Sequence, residues 1–125
     1  MSKLMLSAAV ALSSTMLVVG CNSGPKQSFS RDVQPILQKN CAECHVGQGE
    51  GVQKSNFHVD SYETIMQGTK FGPVVVAGDA DSSSLYRLIA GKVDKSIQMP
   101  HGKQPLSAED IAVIKRWINQ GAKND

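Results

Sequence analysis

Apolar residues change their spacing twice along the chain. From Leu4 to Val19 they run almost unbroken, interrupted only by serines and a threonine. Residues 21–28, CNSGPKQS, then show no apolar periodicity and read as a polar tether, reaching roughly 25 Å if fully extended. Beyond Phe29 the apolar positions return at intervals of three and four, the spacing of amphipathic helices. A first helix is predicted from about Asp32 to Asn40, with Val33, Ile36 and Leu37 on its buried side and Phe29 ahead of it. Pro35 belongs in its first turn, where the missing N–H costs least. Gly47, Gly49 and Gly51 mark a loop. A short helix is expected from Ser61 to Gln67, with Asp60 and Glu63 three apart as in a capping box, and Gly68 ending it. Val74 to Val76 is β-like but too short to build a sheet. A third helix, Ser83 to Ala90, presents Leu85, Leu88 and Ile89. The last is the best specified. Ser107 is its N-cap and Asp110 the acidic N3 partner, while Leu106 and Ile111 form a hydrophobic staple. Ile111, Ile114, Trp117 and Ile118 make its buried face, and Gly121 stops it. Trp117 is expected against the first helix near Phe29, with contact to a bound cofactor the alternative. The pattern predicts a small all-α fold.

Composition changes this picture little. A chain of 125 residues, 41% hydrophobic and 19% charged, has the size of one small domain. The formal charge of +2 comes without basic or acidic runs, so charge signals no nucleic-acid partner.

The N-terminus carries an address. One basic residue, Lys3, precedes the apolar stretch, and small residues close it, as in a secretory signal. The stretch is short and interrupted for a membrane-spanning helix, which needs about 18 apolar residues. Its ending, Val18-Val19-Gly20-Cys21, resembles the lipobox of bacterial lipoprotein signals, which implies an acylated Cys21 as first mature residue. The alternative is an ordinary cleaved signal with Cys21 a bystander. Asn22 after the cysteine points to the outer membrane rather than the inner. The reading divides the chain into a signal peptide, 1–20, a lipidated flexible tether, 21–28, and a single domain, 29–125, exported to the periplasmic side of a membrane or the cell surface.

The densest chemistry lies in CAECH, Cys41 to His45. This is the attachment signature of c-type haem. Two thiols three positions apart on a helical turn can each form a thioether with one vinyl group of a porphyrin, and the adjoining histidine can ligate the iron. Two other chemistries use the same residues. A redox C-x-x-C is expected beside a βαβ pattern, absent here. A zinc site would need further ligands such as His58 and His101, at a spacing that matches no common zinc pattern. With Cys21 acylated and Cys41 and Cys44 in the motif, no structural disulfide is expected. For the other axial position the chain offers Met99, His101, His58 and Met66. Met99 lies in the proline-containing polar stretch DKSIQMPHGKQPL, suited to a ligand loop, with His101 the alternative. Met66 fits one face of a short helix as core filler, and His58, alternating with Phe57 and Val59, is expected to face solvent.

The stretches FSRDVQPILQKNCAECH, VVVAGDADSSSLYRLI and MPHGKQPLSAEDIAVIKRWINQGA resemble a class I cytochrome c, most closely the planctomycete-type cytochrome c domain, over residues 29–122. The resemblance implies one covalent haem c at Cys41 and Cys44, axial ligation by His45 and Met99, redox-protein partners, and electron transfer rather than enzymatic catalysis. The family often reads Met-Pro-Pro where this chain has Met99, Pro100 and His101. A second function stays open: a haem-based gas sensor or peroxidase-like protein whose distal ligand is displaceable.

Overall fold

The computed structural model describes residues 24–125. The expected signal peptide, 1–20, and Cys21 lie outside the described residues. Five helices follow one another, with no strand among the described residues: α1 (Gln34–His45), α2 (Glu50–Ser55), α3 (Tyr62–Gln67), α4 (Ser84–Ile89) and α5 (Ala108–Asn119). A π-helical turn, Phe29–Val33, leads directly into α1. The all-α expectation holds.

The first helical stretch, π turn and α1 together, runs from Phe29 to His45, beyond both expected ends at Asp32 and Asn40. Ser28 caps the π turn by accepting from the Arg31 N–H, and the Asp32 carboxylate accepts from the Ser28 N–H at 2.7 Å. That contact holds the Asp32 carboxyl below its usual range, helped by the adjacent Arg31. Pro35 sits in the first turn of α1, as expected. The helix continues through CAECH to His45, so the motif is helical throughout.

The core joins this first helical stretch to α3 and α5. Phe29, Tyr62 and Trp117 form an aromatic cluster with centroid separations of 5.3, 5.6 and 6.4 Å, two of the three pairs edge-on. Edge-on pairs set ring edges against ring faces, the arrangement the ring quadrupole favours. Trp117 lies against Phe29 as expected. Its indole N–H donates to the Lys123 carbonyl at 2.9 Å, and the Tyr62 hydroxyl donates to the Ala122 carbonyl at 2.8 Å, so neither buried polar tip is left without a partner. Val33, Leu37, Ile114 and Ile118 complete this side.

Three local expectations are corrected. The capping box of α3 is built by Ser61 and Thr64, each side chain meeting the other's backbone N–H, and not by Asp60 and Glu63. Asp60 instead accepts from the Thr64 hydroxyl at 3.0 Å. The glycine-marked loop after His45 contains a helix, α2, of which only Val52 is a large apolar residue, too little for a periodicity to show. The end of the presumed tether is docked: Gln27 and Ser28 are buried, the Gln27 N–H donates to Gln120 Oε1 at 2.8 Å, and Gln120 Nε2 donates to the Pro25 carbonyl at 3.1 Å. Such polar docking leaves no hydrophobic pattern to read. Val74 and Val75 are buried without forming a strand. Their segment is tied to α4, with the Leu85 N–H donating to the Val74 carbonyl at 3.0 Å and the Val76 N–H to Ser83 Oγ at 2.8 Å.

Candidate haem site

A cavity of about 460 Å³ opens on the side of the domain away from the aromatic cluster. Its walls come from the last two turns of α1, from α2, from α4 and from the loop 96–103. Cys41, Cys44 and His45 line it, as do Met99 and His101. The lining is otherwise rich in apolar groups, among them Phe57, Val74, Leu85, Leu88 and Ile89. Residues 58 places apart in sequence, Cys41 and Met99, therefore share one chamber. His58 is half-buried but outside it, and Met66 packs against the core.

His45 is the most constrained of these side chains. Its Nδ1 lies 3.0 Å from the Phe57 carbonyl. A carbonyl only accepts, so Nδ1 donates to it, and in the neutral imidazole Nε2 is then the nitrogen with the free lone pair, the tautomer a metal-ligating imidazole needs. The His45 carbonyl in turn accepts from the Val59 N–H at 2.9 Å, so the segment Phe57–Val59 grips both ends of the residue. The Phe57 ring meets the imidazole edge-on at 5.3 Å. On another side Gly51 closes in: a Cβ there would stand 2.5 Å from His45 Cε1 and 2.7 Å from Nε2, closer than any real contact. Gly51 and Phe57 are functional positions that sequence reasoning missed. The repeated glycines were visible in the sequence, but a backbone carbonyl has no signature.

The surroundings of the Cys41 thiol oppose its ionisation. Burial, and then the neighbouring Cys44, push the Cys41 thiol up to about 11, with Lys103 opposing. Reactive dithiols depend on the reverse, a lowered thiol that is ionised near neutrality. Zinc chemistry fares no better: among the described residues, no three His, Cys, Asp or Glu side chains gather as a metal site.

The distal side is a loop held at two points. The Met99 N–H donates to the Leu88 carbonyl at 3.1 Å, tying the loop to α4. Lys103 pairs with Glu43, the residue between the two cysteines that faces solvent, tying it to α1. Met99 itself is half-buried, whereas His101 is exposed at the edge of the cavity.

Residues 41–101, from the first motif cysteine to His101, match the family of planctomycete cytochrome C. The matched stretch is a planctomycete-type cytochrome c domain. No curated protein and no solved structure matches the chain. A cytochrome c domain carries covalently attached haem c and serves electron transfer. The chamber suits that group. Its volume lies in the range of about 300–1,000 Å³ typical of small-molecule and cofactor sites, its lining is apolar, and a thiol pair, a bare imidazole nitrogen and a thioether converge on it.

Proposed function

We propose that this chain is an exported, lipid-anchored monohaem cytochrome that carries single electrons between redox partners. Cys41 and Cys44 would hold the haem through thioethers, and His45, through Nε2, and Met99 would ligate its iron. Cys21 takes the lipid, and the domain stands on the periplasmic side of a membrane or on the cell surface, the outer membrane favoured by Asn22. The observation that carries this reading is the convergence of Cys41, Cys44, His45 and Met99 on one apolar cavity.

The bound haem supplies one-electron chemistry at its iron. The protein's part is to hold geometry. The Phe57 carbonyl keeps His45 in one tautomer and one orientation, and raises its basicity as a ligand. Ligation by the Met99 thioether together with the His45 imidazole would raise the reduction potential relative to two imidazoles. The apolar walls contributed by Leu85, Leu88 and Ile89 exclude water from the site.

A second reading, a sensor or peroxidase-like protein with a displaceable distal ligand, draws on one observation: His101 lines the same cavity from an exposed position two residues beyond Met99. Optical spectra of the haem-loaded domain and of a Met99→Ala variant separate the two. The carrier gives a low-spin spectrum with the weak far-red iron–sulfur band, lost in the variant, and its reduced form refuses carbon monoxide. A wild type without that band, or one that binds carbon monoxide rapidly, overturns the Met99 assignment and favours the second reading.

A further inference from the structure

The haem cavity is not the only concave surface. At the other end of the first helical stretch a cavity of about 190 Å³ lies between the N-terminal segment and α5, lined by Gly24, Lys26, Gln27, Trp117, Gln120 and Lys123. No residue lines both cavities. We propose that this end, with Lys26, Gln120 and Lys123, rests against the lipid headgroups of the membrane, and that the mouth of the haem cavity is turned to the aqueous phase. The orientation depends on acylation of Cys21.

Two lengths decide it. The chain is docked from Pro25 onward: Gln120 Nε2 donates to the Pro25 carbonyl, Lys26 forms an ion pair with Asp125 at 2.5 Å, and Gln27 and Ser28 are buried. Gly24 already lies against α5, where a Cβ on it would stand 3.0 Å from Arg116 Cδ. The leash between the acylated cysteine and the body is therefore the four residues 21–24, at most roughly 14 Å long. From Phe29 to His45 the helical stretch is continuous, and at about 1.5 Å per residue it sets the two ends roughly 24 Å apart. A leash shorter than that separation cannot run round the body to lay the haem mouth on the bilayer. An undocked tether of eight residues, reaching roughly 25 Å, would have allowed it.

The two ends also differ in what they present. The anchor end offers the ammonium groups of Lys26 and Lys123, which hydrogen-bond to headgroup oxygens, whereas the amides of Gln27 and Gln120 already donate to the Pro25 carbonyl. At the cavity end, Ile97 is 53% exposed and lines the chamber, and Phe71, 82% exposed, donates its N–H to the hydroxyl of Thr69, another lining residue. In the proposed orientation these apolar groups face an electron partner that arrives from solution.

The test uses the full-length, haem-loaded protein on phosphatidylcholine vesicles, carrying Lys123→Cys or, separately, Phe71→Cys. Reaction with a polyethylene-glycol maleimide is compared with the same variants exported without the lipobox and with Cys21→Ser. The expected result is loss of reactivity at 123 on vesicles and unchanged reactivity at 71. Protein that floats with the vesicles but is shielded at 71, or equally at both positions, overturns the orientation alone. Protein that fails to float overturns the acylation of Cys21 and the orientation with it.

Discussion

Helices α1 and α5 are each twelve residues long, yet they solve opposite problems. Helix α5 buries Ile114, Trp117 and Ile118 against the chain's own side chains, and its ends are closed by Ser107 and by the turn at Gly121. Helix α1 buries fully only Leu37, and its last two turns expose Cys41, Cys44 and His45 to a cavity that no side chain fills. One end of the domain is finished by protein; the other is finished by haem. A chain this small gains a sizeable share of its core from the porphyrin, because short chains bury a low fraction of their own surface.

The largest effect expected from that contrast comes from removing the attachment. A Cys41→Ala, Cys44→Ala variant should lose all haem staining on a denaturing gel, and circular dichroism should show reduced helicity, because the cavity end has no alternative filling. Full native helicity in the variant would mean that the cavity closes on its own. Next comes the protein-finished end. Trp117→Ala should cost about 3–5 kcal/mol in chemical denaturation of the haem-loaded protein, removing the indole from the aromatic cluster and its hydrogen bond to Lys123. The haem spectrum at low denaturant should be unchanged, since Trp117 does not line the haem cavity. The smallest effect on stability, and the most local, belongs to Gly51→Ala. A methyl group forced onto the His45 ring should cost about 1–3 kcal/mol and shift the optical spectrum, because the imidazole must turn away from the Phe57 carbonyl. An unchanged spectrum would show that α2, not the imidazole, gives way.

The parts legible beforehand were those whose causes are local. The cap of α5 depends on Ser107 and Asp110, three residues apart, and the Ser107 side chain accepts from the Asp110 N–H as expected. The haem motif is five consecutive residues. By contrast α2 carries little apolar pattern, so its presence could not be read. Its placement depends on backbone contact: a Cβ on Gly49 would stand 2.4 Å from the Cys44 carbonyl oxygen, and the Gln53 N–H donates to the Gly49 carbonyl at 3.1 Å. The capping box of α3 slipped by one residue for a similar reason. Asp60–Glu63 and Ser61–Thr64 have equal spacing, and only the helix start at Tyr62 chooses between them.

The all-α class, the ends of the last helix and the haem chemistry follow from local order along the chain, because periodicity, caps and the C-x-x-C-H spacing act within a turn or two of helix. Tertiary structure decided what those groups meet: that Met99 shares a chamber with Cys41, that a carbonyl from Phe57 sets the tautomer of His45, and that the polar segment before Phe29 is docked rather than free. Each of these is a contact between residues distant in sequence, made by backbone groups or by side chains without periodic pattern, and such contacts exist only once the chain has closed on itself.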